Sequence, residues 1–165
     1  ILSRHELEAV EAERPSDGDY SFFTIGYEGA SFENYLNRLI KNNVNLLCDV
    51  RRNPLSRKYG FSKKTLSETL NKLNIEYKHI PELGIISEKR QELKSQADYD
   101  RLFNQYERTT IKDNPRALEE LAALTLQYRR VAITCFEANP SMCHRSRVAK
   151  AVGNLPKWNH PIKHL

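Results

Sequence analysis

The sequence is poor in the features that define several classes of protein. Of its 165 residues only three are cysteine, Cys48, Cys135 and Cys143. Their odd number, irregular spacing and lack of any CxxC pair argue against a disulfide framework and a zinc ribbon, and fit a reducing compartment. Six glycines and seven prolines are too few for a collagenous or low-complexity chain. No run approaches the roughly 18 consecutive apolar residues of a membrane-spanning helix, so no membrane association is expected. Ile1 to Arg14 carry charges where a signal peptide carries an apolar core, and a cytoplasmic location is expected. Neither a complete dinucleotide fingerprint nor a phosphate-loop lysine is present. No cofactor is therefore expected, and hydrolysis or group transfer fits better than redox chemistry.

What the chain does contain suits one globular domain. Hydrophobic residues make up 39% against 28% charged, enough apolar material for a single core. Lysine and arginine exceed aspartate and glutamate by five, which favours an anionic partner such as a nucleotide, a nucleic acid or a phosphorylated metabolite over a cationic one. So small an excess makes the position of the charges matter more than their total.

Residues 1–19 read as a peripheral helix, Leu2 to Arg14, and a linker of turn formers; residues 20–165 read as a single α/β domain. Tyr20 to Gly26 is a run of aromatic and branched residues that predicts a buried strand. Ser31 then caps a helix marked by Phe32, Tyr35, Leu36, Leu39 and Ile40 at helical spacing. The alternation repeats. Val44 to Val50 predicts a second strand, Ser62 caps a helix with Leu66, Leu70 and Leu73, and Ile75 to Ile80 predicts a third strand. A long excursion follows, with a helix around Tyr99, Leu102, Phe103 and Tyr106, and Asn114-Pro115 opens another. Val131 to Phe136, the most hydrophobic strand, is expected at the centre of the sheet. A helix from Cys143 to Val152 and an extended tail from Asn159 to Leu165 complete a three-layer α/β fold, a mostly parallel β-sheet with helices on both faces.

Ligands of such sheets sit beyond the carboxyl ends of the strands, where loops and helix N-termini converge. Three of these ends are polar. The first, Gly26-Tyr27-Glu28-Gly29, is either a tight turn or an anion-binding turn in which Tyr27 and Glu28 contact the organic part of a substrate. The second sets Asp49 beside Arg51, Arg52 and Arg57, so that guanidinium groups hold an anion while Asp49 transfers protons; the alternative is a structural ion pair. Lys58, Lys63 and Lys64 extend this basic run or form a solvated face.

The third end runs from Cys135 to Arg145. Cys143-His144-Arg145 stands at a helix start, where the helix dipole, His144 and Arg145 would lower a thiol pKa and hold an anion, making Cys143 a candidate nucleophile and Glu137 a candidate acid or base. Cys143 also suits a packing or capping role, and Cys135 lies inside an apolar strand where packing is the expectation. A metal on Cys135, Cys143 and His144 is set aside because of the long gap and the missing CxxC, so no metal is expected. The cysteine-phosphatase cradle does not fit either, since its arginine follows the cysteine by six residues and Arg145 follows Cys135 by ten.

The ordered set Thr24-Ile25-Gly26-Tyr27-Glu28-Gly29, Asp49-Val50-Arg51, Ser56-Arg57, Tyr77, Pro81-Glu82-Leu83-Gly84, Cys135-Phe136-Glu137 and Cys143-His144-Arg145 resembles the family catalogued as the domain of unknown function 488. Relatives carry a histidine where Tyr27 stands and a glycine where Ile85 stands, and this chain departs at both. The resemblance implies an α/β fold with one clustered site and supplies no reaction. Together the residues point to a hydrolase or group transferase acting on a phosphorylated, nucleotide-like or nucleic-acid substrate, or alternatively to a non-catalytic nucleic-acid-binding module with a basic face.

Overall fold

The computed structural model describes residues 3–5, 19–86 and 93–165. Strands β1 (Ser21–Gly26), β2 (Leu46–Asp49), β3 (Glu76–His79), β4 (Arg130–Cys135) and β5 (Ile162–His164) form one sheet in the order β3-β2-β4-β1-β5. Every pairing is parallel, and the most hydrophobic strand, β4, takes the central place. β1, β2 and β3 are shorter than their apolar runs, because pairing stops where the flanking residues turn into loops, and β4 keeps six residues but begins one earlier, at Arg130.

The helices α1 (Phe32–Lys41), α2 (Lys63–Lys72), α3 (Gln96–Tyr106), α4 (Pro115–Tyr128) and α5 (His144–Gly153) fall on the two faces of the sheet as the alternation of side chains along the strands requires. Phe23, Ile25, Leu47 and Ala132 point to one side, into a core completed by Tyr35 and Leu39 of α1 and Leu66 and Leu70 of α2. Phe22, Leu46, Cys48, Val131 and Ile133 point to the other, against Leu102 and Phe103 of α3, Leu118 and Leu121 of α4 and Val148 of α5. This is the three-layer arrangement expected. The expected helix Leu2 to Arg14 and the linker after it lie, save for residues 3–5 and Asp19, outside the described residues.

The local signals explain most helix starts. Ser31 Oγ accepts from the Asn34 amide at 3.1 Å, and Ser95 and Asp98 form a reciprocal capping box. Ser62 departs from expectation. It precedes α2, but its hydroxyl accepts from the Ser56 amide and donates to the Ser56 carbonyl, each at 3.0 Å. It staples the loop after β2 instead of capping the helix. No described helix is long and apolar enough to cross a membrane.

The chain winds from β1 past the place of β4 to β2 and β3, then returns to set β4 between β2 and β1. The helices following β1 and β4 therefore lie on opposite faces, which opens a crevice above the carboxyl ends of β1, β4 and β2.

Candidate functional site

The three polar loops meet above this crevice. The Tyr27 and Glu28 amides both donate to the Phe136 carbonyl, at 3.0 and 2.8 Å, and the Glu28 carboxylate accepts from the Ala138 amide at 3.0 Å. Gly26 permits the approach, since a Cβ there would stand 1.9 Å from the Glu137 carbonyl oxygen. Gly29 has φ +72°, a left-handed turn that carries the chain into α1. The glycines thus serve the close packing of two loops. Glu28 is an exposed tie between them, and Tyr27, only 4% exposed, stacks on Phe61 at 4.3 Å.

At the end of β2 the Asp49 carboxylate is fully buried and accepts four hydrogen bonds. They come from the Arg51 amide (3.1 Å), Arg51 Nε (2.8 Å), Arg51 Nη2 (2.6 Å) and the Tyr77 hydroxyl (2.7 Å). Those four fill the acceptor sites of a carboxylate. Arg51 spends its Nη1 on the Tyr27 hydroxyl at 2.9 Å and the Phe61 carbonyl at 2.7 Å. Burial opposes the charge on Arg51, but the hydrogen bonds and negative charge of Asp49 outweigh it and raise the guanidinium pKa, so the ion pair persists. Burial and the Asp49 charge likewise raise the Tyr77 hydroxyl. The geometry is that of the structural ion pair, with its acid fully engaged.

Arg145 is also committed. It is fully buried, and its Nη1 donates to the Glu137 carbonyl, its Nη2 to the Ala138 carbonyl at 2.9 Å and its Nε to Thr24 Oγ1 at 3.3 Å. It clamps the loop after β4 onto the end of β1. Of the arginines named from these loops, Arg52 and Arg57 are left exposed, at the rim of the crevice.

Cys135 closes β4, and Cys143-His144 opens α5 nine residues later, so the two thiols and the imidazole meet. His144 Nε2 lies 3.0 Å from the Val50 carbonyl. A carbonyl only accepts, so Nε2 carries a hydrogen, and Nδ1 faces the other way, toward the two sulfurs. Nδ1 lies 3.5 Å from Cys135 Sγ and 4.0 Å from Cys143 Sγ, and Cys135 Sγ is 3.4 Å from Glu137 Oε2. The lowered pKa expected of Cys143 is not found. Burial pushes this thiol well above its ordinary value and Cys135 adds to the effect, while Arg145 lowers it too little to compensate. A helix start stabilises a thiolate only when the sulfur is solvated, and Cys143 is fully buried and makes no side-chain cap bond.

Above the cluster is a cavity of about 330 Å³, walled by Tyr27, Arg51, Ser56, Ile85, Cys135 and Phe136 and rimmed by Arg52 and Arg57. A neighbouring cavity of about 270 Å³ shares Arg52 and Ile85 and runs toward Tyr106. Tyr27, Arg51 and Arg57 are thus brought to the cavity, Asp49, His144 and Arg145 stand behind its wall, and Glu137 borders a smaller hollow of about 140 Å³ with Met142. Cys135, expected from sequence to be packing, is part of the cavity wall. The strand period of two held the signal for Cys135, because it places residues 135 and 137 on one side of the chain where β4 ends.

Searches of curated proteins and of solved structures find no match to this chain. The model of one family does match, over residues 31–152, a span that takes in the loop after β2, the Cys135–Glu137 segment and Cys143-His144-Arg145. With most of its length so matched, the chain belongs to the family described as Domain of unknown function DUF488.

Proposed function

We propose that the protein is an enzyme, a hydrolase or group transferase, acting on a phosphorylated, nucleotide-like or nucleic-acid substrate in the cavity above the carboxyl ends of β1, β2 and β4. One observation carries the reading. A sulfur, a ring nitrogen and a carboxylate lie side by side, Cys135 Sγ at 3.5 Å from His144 Nδ1 and 3.4 Å from Glu137 Oε2, and Cys135 is part of the wall of a cavity rimmed by arginines. The cluster supplies attack and proton transfer, and Arg57 and Arg52 hold the anion. Arg51 serves as the rigid, charged floor that Asp49 keeps in place. The three cysteines are free, which fits work in a reducing, cytoplasmic compartment.

The test is a screen of nucleoside phosphates, sugar phosphates and short DNA and RNA, with products read by mass spectrometry. Turnover should fall by about 10²–10⁴-fold in Glu137→Gln, the range for a lost acid–base group, and at least as far in Cys135→Ala. Product formation indifferent to both substitutions sinks the proposal.

A second reading is favoured by the exposed aromatic rings of Tyr59, next in the chain to Arg57-Lys58, and of Phe136, which lines the same cavity as Arg57; these suit base stacking and phosphate contact. In a non-catalytic nucleic-acid-binding module, affinity for any nucleic acid should fall with salt, with a log–log slope of about −0.7 to −0.9 per phosphate contacted. It should also ignore Cys135→Ala and Glu137→Gln.

A further inference from the structure

The sulfur atoms of Cys135 and Cys143 and a ring nitrogen of His144 all lie within 4.8 Å of one another, on three buried residues. We propose that these three side chains bind a divalent cation of the nitrogen- and sulfur-seeking kind, zinc above all, leaving its fourth coordination position toward the cavity.

The geometry favours this over incidental packing. Zinc–sulfur bonds of about 2.3 Å and zinc–nitrogen bonds of about 2.0–2.1 Å, set tetrahedrally, separate a sulfur from a nitrogen ligand by about 3.5 Å. The two sulfur–Nδ1 separations here are 3.5 and 4.0 Å, and the two sulfurs lie within 4.8 Å of each other, against about 3.8 Å between two sulfur ligands of a tetrahedral zinc. The Val50 carbonyl holds His144 through Nε2 at 3.0 Å, which fixes Nδ1 as the ligand atom in the way that outer-shell acceptors orient metal-bound imidazoles. The donor set is two thiolates and an imidazole, which excludes magnesium and calcium, both of which require oxygen. Charge also balances. Two thiols lose their protons on binding, and their two negative charges cancel those of the ion, so that a neutral unit is buried.

Three protein ligands with an open fourth position mark catalytic rather than structural zinc. Cys135 belongs to the cavity wall, and Glu137, whose Oε2 is 3.4 Å from the Cys135 sulfur, reaches the cluster from the side of the smaller hollow. The binding site stands by itself; its catalytic meaning rests on the enzyme reading above. With the ion bound, the sulfurs are ligands and attack passes to water. That water gives a proton to Glu137 while its oxygen forms the bond to the electrophilic atom, the bond to the leaving group breaks, and Glu137 returns the proton to the leaving group.

The experiment is titration of the chelator-treated full chain with cobalt(II) under reducing, thiol-free conditions. One cobalt per chain should bind with the intense visible absorption of a tetrahedral ion and a sulfur-to-cobalt charge-transfer band, and zinc should displace it. Cys135→Ser, Cys143→Ser and His144→Asn should each weaken binding by more than the roughly 10–100-fold that loss of an outer-shell partner costs, with Cys48→Ser unchanged. X-ray absorption on the zinc-loaded natural sequence reads the ligands directly, two sulfurs and one nitrogen, whether or not a variant folds. Failure of the chain to bind cobalt or zinc stoichiometrically, or an oxygen-only ligand set, overturns the proposal. Turnover by protein that binds no metal removes the metal site and keeps the enzyme. Stoichiometric metal without turnover of any substrate keeps the site and removes the enzyme.

Discussion

The ends of β2 and β4 hold two buried polar clusters on neighbouring strands, and they are built in opposite ways. At β2, opposite charges meet: the Asp49 carboxylate takes four hydrogen bonds and the Arg51 guanidinium is held at every nitrogen. At β4, two thiols and an imidazole nitrogen converge within 4.8 Å of one another, with Cys135 also hydrogen-bonded to Glu137 and His144 to Val50. A cluster whose donors and acceptors cancel is complete, and removing a member costs stability. A cluster of converging metal-ligand types is suited to hold an ion, and on the reading proposed above removing a member costs binding and turnover more than stability.

The sharpest break of the comparison is Asp49→Ala, which strands a buried guanidinium. Denaturant unfolding should show a loss of about 3–5 kcal/mol, the cost of breaking a buried pair from one side. Next comes Gly26→Ala, whose new Cβ collides with the Glu137 carbonyl and drives the loop after β4 from β1. It should cost about 1–3 kcal/mol and disturb the β4 cluster while sparing Asp49–Arg51.

Alkaline pH should act on the thiols at a similar scale. Cys48 and Cys143 have pKa values raised by burial, so the fold favours their neutral forms, and that stability is fully present below the unfolded thiol pKa of about 8.5. Above it the unfolded chain loses protons that the folded one keeps, and each thiol should subtract about 1.4 kcal/mol per pH unit until its folded pKa is reached. Unfolding midpoints of Cys48→Ser and Cys143→Ser should fall less steeply between pH 8 and pH 10 than those of the natural sequence.

Cys135→Ser should change stability by only about 1 kcal/mol, because a hydroxyl also bonds to His144 Nδ1, yet it should abolish turnover. The contrast with Asp49→Ala is the comparison in its sharpest form. Smallest in stability is Arg57→Ala, within about 0.5 kcal/mol for an exposed side chain. Titration calorimetry should still show anion affinity lowered about tenfold or more, the worth of a charge-assisted hydrogen bond.

Much of the architecture was legible because it rests on local patterns. Alternating apolar runs and helical spacings placed four of the five strands and the helices from Ser31 onward to within a few residues, the fifth strand lies within the expected extended tail, and Ser31 capped as expected. Ser62 did not, since whether a hydroxyl turns to the helix or to Ser56 depends on how the loop folds back. The reading of Asp49 with Arg51 as an ion pair was on the table beside the catalytic one, and two residues of spacing were enough to suggest it. The state of Cys143 was misjudged because the helix dipole is visible in sequence and desolvation is not.

By itself, then, the sequence determined the order of strands and helices, the parallel sheet and the polar character of three loops, because hydrophobic periodicity and turn chemistry act over a few residues. Only the tertiary structure decided which polar groups are spent on each other and which converge. Val50, Cys135 and His144 are separated along the chain by up to 94 residues, and no local pattern records that a carbonyl of one strand end orients a ring toward the sulfur of the next.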